Sequence, residues 1–241
     1  MTKKIILVFV EGVSDDTVFN FLLENICNQQ KYKTDIIGGD PFSDDENIRK
    51  GGKTIVNEAV KGYLSKNKLK AKDIEYVAFI TDADGINIPR EDFIVEEDST
   101  MESNYIYDLD NGIVKSKNLK CQSNILTSWE RKYKKLCPLM YDGITTSVNT
   151  YNIPIGIYFN SVNLEHVTQG KILPWDEKDD AADALIDQYE NNIEGLFQIF
   201  KEKTISENLK DSWEFLKELE WKVPYSNVNI LFEKIKQINE G

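Results

Sequence analysis

The chain has 241 residues, 41% of them hydrophobic and 11% aromatic, and a formal net charge of −12 at pH 7. Such a chain can build one large domain, or a ~100–150-residue core with an attachment, and its acidity counts against a free-standing, tight binder of phosphate backbones. No apolar run approaches the ~18 residues of a membrane span; Cys27, Cys121 and Cys137 form no CxxC pair, which argues for reduced thiols in the cytoplasm over a disulfide framework.

The first element is a buried-type strand, residues 4–10, ending in Glu11-Gly12. As an apolar run it is too short for a secretory signal. Ser14 suits a helix N-cap, with Asp15 and Asp16 favouring the first turn through the helix dipole. Val18, Phe19, Leu22, Leu23 and Ile26 recur at helical spacing, so a helix is expected over about residues 15–27. A short strand over 32–37 closes on Gly38-Gly39, and a polar loop over 40–52 leads to a helix over 53–65. Gly51-Gly52-Lys53-Thr54 lacks the spacing of a nucleotide-binding P-loop. Tyr76-Val77-Ala78-Phe79-Ile80-Thr81 is a second buried-type strand, and it runs into Asp82-Ala83-Asp84-Gly85.

Residues from 86 to about 150 read as an insertion. Within it, 104–117 has the alternation of a hairpin, with Asn111-Gly112 as a two-residue turn. A helix over about 124–136 carries Ile125, Trp129, Tyr133 and Leu136 on one stripe. This region is basic: Lys115, Lys117, Lys120, Arg131, Lys132, Lys134 and Lys135 stand against Glu130 alone. Two readings stay open, a nucleic-acid contact surface of aromatics beside cations or the solvated face of an amphipathic helix.

A further strand over 153–159 runs into Asn160-Ser161-Val162-Asn163-Leu164-Glu165-His166. Beyond Asp176 the chain is helical and acidic, with nine lysines against sixteen acids from Lys171 onward. One helix is expected from Lys178 to about Lys203, one from Ser206 to about Glu220, and a last one over 227–238 after Pro224. These helices pack on the sheet or form a small cap. The division expected is an α/β domain over 1–170 and an acidic helical extension over 171–241.

The chemistry lies at the strand ends. In an extended chain Asp82 and Asp84 face the same side. If their strand is parallel to the first, Glu11 joins them in the crevice where open α/β sheets bind ligands. Oxygen-only acids without nearby His or Cys suit Mg²⁺ or Mn²⁺ better than zinc. Without a cation such acids raise one another's pKa; with one, an acidic edge attracts phosphate.

A strand ending in Glu11-Gly12, then a helix, then a strand ending in Asp82-Ala83-Asp84 resembles the Toprim domain of topoisomerases, primases, ribosomal-RNA-maturing ribonucleases and the overcoming-lysogenization-defect nucleases. The resemblance covers roughly the first third of the chain and implies an α/β, Rossmannoid parallel sheet flanked by helices. It implies catalytic roles for Glu11, Asp82 and Asp84, with Glu165 completing the site. It makes Glu11, Asp15, Asp82, Asp84 and Glu165 metal ligands for two Mg²⁺ or Mn²⁺ ions. Asp15 stands at the spacing of a ligating acid in the lysogenization-defect class, and equally suits a first-turn helix charge. Asn163 takes the place of a common serine two residues before Glu165. Lys178 matches a phosphate-contacting lysine at a helix start, with Lys171 as competitor. His166, the only histidine, is either a general base or structural, since a divalent ion can activate water without it.

Topoisomerase and primase architectures need domains or zinc ligands this chain lacks, and the ribosomal-RNA ribonucleases are shorter and more basic. The resemblance then implies a stand-alone nuclease acting on DNA or RNA, transfer RNA included, of the antiphage, abortive-infection type, with a separately encoded ATPase as partner and no membrane association. Oligomeric state stays open. The alternatives are a non-catalytic Toprim-fold binding module and a metal-dependent phosphotransferase on a small nucleotide.

Overall fold

The computed structural model describes residues 3–97 and 101–241. In chain order its first half comprises β1 (Lys4–Val10), α1 (Val13–Ile26), β2 (Tyr32–Gly38), α2 (Gly52–Asn67), β3 (Ile74–Asp82), β4 (Phe93–Val95), β5 (Tyr105–Asp108) and β6 (Ile113–Ser116). There follow α3 (Leu119–Leu136), β7 (Thr145–Val148), β8 (Tyr151–Asn160), α4 (Leu164–Gln169), α5 (Lys178–Tyr189), α6 (Ile193–Glu202), α7 (Leu209–Leu216) and α8 (Val228–Glu240).

The protein is α/β. Its main sheet has the order β2-β1-β3-β8-β7, in which β2, β1, β3 and β8 run parallel and β7 is antiparallel to β8. Strands covered on both faces need apolar side chains on both, and β1 supplies them by alternation. Ile6, Val8 and Val10 enter a core with α1, α5, α6 and α8; Ile5, Leu7 and Phe9 enter one with α2, α7 and the end of α3. The chain leaves β1 towards β2 and leaves β3 towards β8, on opposite sides. The strand order therefore reverses between β1 and β3, and the C-terminal ends of these two strands flank the switch point where such sheets hold ligands.

The insertion builds a second sheet, β4-β6-β5; its residues 98–100 lie outside the described residues. Its own small core joins Phe93, Val114, Trp129 and Trp221. The hairpin forms as expected, but its connection spans the four residues between Asp108 and Ile113, with Gly112 at φ +68°. Asn118 caps α3 through Cys121 N, so this helix begins earlier than its apolar stripe indicates. The expected long helix from Lys178 is two, because Asn192 accepts from Gly195 N and starts α6 afresh. Asn208 rather than Ser206 caps α7.

The C-terminal segments fix β8. Asn227 Oδ1 accepts from Phe159 N at 2.6 Å, Ser226 Oγ donates to Asn160 Oδ1 at 3.0 Å, and Trp213 Nε1 donates to Ile157 O at 3.1 Å. They hold in place the strand end from which Glu165 follows. No helix among the described residues is long and apolar enough to cross a membrane.

Candidate active site at the sheet edge

Glu11 is the first residue beyond β1. Its Oε2 accepts from Asp82 N at 2.9 Å and Thr81 Oγ1 at 3.1 Å, which staples the end of β1 to the end of β3. Asp82 closes β3, and the turn beyond it is tied to β8 through Ala83 N and Asn160 O at 2.8 Å. Alternation does not continue to Asp84. Its φ is +49°, the left-handed region that Asp tolerates better than most residues. A turn, not an extended strand, sets the relation of Asp82 to Asp84. Gly85 follows because Trp129 of α3 lies flat on it: a Cβ there would come within 1.7 Å of the indole.

The acids fall into two groups about Asp82. In the first, Lys132 Nζ donates to Glu11 Oε2 and Asp84 Oδ2, at 2.8 Å each, and lies 3.2 Å from Asp40 Oδ2. Only 3% of the Lys132 side chain is exposed. Burial alone would lower its pKa, but Asp84, Glu11, Asp40 and Asp82 outweigh that and hold it charged, well above the usual lysine value. Burial raises Asp40, yet Lys132 and hydrogen bonds from Ser43 and Phe42 bring it below the ordinary carboxylate value.

In the second group, Ser14 Oγ donates to Glu165 Oε1 at 3.2 Å and Lys178 Nζ lies 3.2 Å from Glu165 Oε2. Asp15 accepts from Gly12 N at 2.9 Å, so it serves the helix start and faces the site at once. Lys178 is 28% exposed and Glu165 3%. Burial would lower the Lys178 pKa; Asp82, Glu165 and Asp15 more than offset it. Asp82 sits between the groups. Burial, then Glu11, Asp15 and Asp84, push its carboxyl well above the usual range. Burial likewise raises Glu11 to about 7, opposed by Lys132, and raises Asp15 to about 6, reinforced by Glu165.

These placements bring Glu11, Asp82, Asp84, Asp15, Glu165 and Lys178 to one edge. They correct others. Lys132 and Lys135, expected on a nucleic-acid contact face, point inward: Lys132 into the acids, Lys135 onto the carbonyl of Phe42. Lys115 pairs with Asp108 and Glu96, Lys134 with Glu130, and Lys117 donates to Met101 O. That leaves Lys120 exposed and Arg131 half-buried, so the seven cations do not form one basic surface. Ser14 does not cap α1, a position held by Gly12. Asn163 caps α4 by accepting from His166 N at 2.9 Å. His166 is fully buried, with Nε2 on Lys222 O and Nδ1 on Ser161 O, and burial lowers its pKa. It is a structural residue. Lys171 is exposed on the chain leading to α5.

Two participants, Asp40 and the inward-facing Lys132, are not anticipated by the sequence reading. Asp40 follows Gly38-Gly39 at the end of β2, on the same sheet edge as Glu11 and Asp82, so the strand-end rule that selects those two also selects it. Lys132 lies one turn after Trp129 on the apolar stripe, and its position on the packed side carries the signal.

Among the described residues no three His, Cys, Asp or Glu side chains converge closely enough to hold a metal ion as they stand. The reason is visible in the first group, where an ammonium holds three carboxylates. The donor chemistry still fits a hard cation: all donors are oxygens, and the buried Glu165 Oε2 and Asp40 Oδ2 have a lysine ammonium at 3.2 Å as their one partner, the kind of contact a cation makes. Val162, between the end of β8 and Glu165, has φ +57°, an outlier for a β-branched residue of the kind that clusters at functional sites. No protein-family model, no curated protein and no solved structure matches the chain.

Proposed function

We propose that the chain is a Toprim-type, divalent-cation-dependent hydrolase of phosphodiester bonds in DNA or RNA. One observation carries the reading: Glu11, Asp82 and Asp84 meet at the reversal of strand order, and Glu165 and Lys178 join them from far along the chain. Buried acids crowded until their pKa values rise are what a cation-binding edge looks like without its cation. Glu11, Asp15, Asp82, Asp84 and Glu165 are the residues that would hold Mg²⁺ or Mn²⁺. A bound ion would supply charge neutralisation at the scissile phosphate and a more acidic water. Lys178, partly exposed beside Glu165, would receive a phosphate oxygen. Lys132 holds Glu11 and Asp84 in fixed orientation, and Ser14 does the same for Glu165.

The Toprim resemblance extends the proposal to a cytoplasmic effector of antiphage defence restrained or delivered by a separately encoded ATPase. A second reading, a cation-free binding module on the same fold, is favoured by one observation: the Lys132 ammonium already satisfies three of the acids.

Calorimetric titration of Mn²⁺ into the native chain and into Asp82→Asn, followed by incubation with labelled DNA and total tRNA, separates the two. Mn²⁺-dependent cleavage that drops by about 100-fold or more in the variant is the expected outcome. No Mn²⁺ binding and no cleavage by the native chain would sink the hydrolase and leave the binding module.

A further inference from the structure

We infer that Lys132 is a built-in cation standing in for one of two divalent ions, so that the loaded site takes a single ion, on the Asp15–Asp82–Glu165 side. This rests on the hydrolase reading above and deepens it. Three contacts at 2.8, 2.8 and 3.2 Å place the Lys132 ammonium among Glu11, Asp84 and Asp40. A divalent ion on the same oxygens would lie within a few ångström of this ammonium, a separation at which a double and a single positive charge repel strongly in a buried setting.

Nor is Lys132 free to withdraw with its helix. One turn before it Trp129 lies on Gly85, and one turn after it Lys135 grips the Phe42 carbonyl. There too the Lys135 carbonyl closes over Gly52 of α2, where a Cβ would come within 1.8 Å of it. α3 is thus fixed to the sheet edge at three successive turns, and the ammonium is carried in by the packing of the insertion.

The other side of Asp82 differs on each count. Lys178 meets a single carboxylate at 3.2 Å, is 28% exposed, and sits on the first turn of α5, where its side chain can swing into solvent. Glu165 Oε2 is buried and its one partner is the Lys178 ammonium at 3.2 Å, so an incoming cation on this side has a single movable lysine to displace. An ion there keeps Asp82 as ligand and leaves the Lys132 cluster intact.

The test is Mn²⁺ stoichiometry by calorimetry on the full chain, with hydrogen exchange of α3 amides followed at each equivalent of Mg²⁺. One ion per chain, with α3 protection unchanged at saturation, is expected. Lys132→Met, which keeps the length and removes the charge, is expected to bind a second ion or to bind roughly tenfold more tightly overall. Two ions on the native chain, or α3 protection lost as the ion enters, overturns the inference while the hydrolase reading stands. No binding by either chain fails both. Should Lys132→Met not fold even with Mn²⁺, the native stoichiometry and exchange decide alone.

Discussion

Lys132 and Lys178 each face carboxylates across the same sheet edge, and the two halves handle the same charge problem in opposite ways. Around Lys132 the ammonium is sealed, touches three acids and is tied down by helix packing. Around Lys178 it is accessible and meets one acid. The sealed half behaves as part of the core: its charges are neutralised by position. The open half sets one partly exposed ammonium against Glu165, with Asp15 and Asp82 beside it; burial raises acids in both halves, Asp15 to about 6 here and Glu11 to about 7 there. Acids of both halves are held by hydrogen bonds, and what differs is whether the neutralising ammonium is buried or partly exposed.

Removing each lysine in turn puts the largest strain on this contrast. Taking one partner from a buried ion cluster costs about 3–5 kcal/mol, so Lys132→Met should lower the unfolding free energy, read from urea denaturation at pH 7, by that much. Lys178→Met, at a partly solvated pair, should cost about 1 kcal/mol. Equal losses would erase the distinction between the halves.

Next comes the contact that carries Lys132 in. Gly85→Ala puts a methyl into the Trp129 indole, an overpacking expected to cost about 2–3 kcal/mol and to quench or shift Trp129 fluorescence. If stability is unaltered, α3 is not held at this point and the sealed half is looser than described.

The titration of the acids gives an effect spread over two residues, with a definite sign. Glu11, ordinarily 4.5, is raised to about 7, and Asp15, ordinarily 3.8, to about 6, burial being the first cause of both. Across that window the folded chain holds protons that the unfolded chain has released. Stability therefore falls as pH rises, by about 4 kcal/mol between pH 5 and pH 8 without added cation. Glu11→Gln and Asp15→Asn should each flatten the slope, and saturating Mg²⁺, which favours the ionised form, should reverse it. Denaturant midpoints at the two pH values read this out; a midpoint that rises with pH in the absence of cation contradicts it.

What could be read from the chain beforehand follows from which signals are local. Strand ends are local: an apolar run of period two stops where an acid or glycine appears, so Glu11 and Asp82 are found together with β1 and β3, and the parallel sheet follows from the intervening helices. Glu165 is reached because it follows another such strand. Helix ends are set by single side-chain bonds, and Asn118, Asn192 and Asn208 each move a boundary that apolar spacing leaves vague. Which way a lysine points is not local at all. Lys132 lies on the packed side of α3 because Trp129 seats on Gly85, residues distant in sequence. A count of positive charge over Lys115–Lys135 cannot distinguish a lysine facing solvent from one facing three carboxylates.

The same contrast recurs within the basic segment, and its test has the smallest expected effect. Lys120 is exposed and Arg131 half-buried, and neither has an ion pair among the described residues; Lys132 and Lys135 are built into the structure. Lys120→Glu with Arg131→Glu should change stability by no more than about 0.5 kcal/mol, as surface substitutions do. If this face touches nucleic acid, the double variant should weaken binding of labelled DNA or RNA and reduce the salt slope by about 0.7–0.9 for each phosphate contact removed. An unchanged slope would confine phosphate recognition to the sheet edge, where Lys178 is the partly exposed cation beside the acids. Cleavage by the native chain would then depend on the cation concentration far more than on ionic strength, because screening acts on exposed charge and hardly on the sealed cluster.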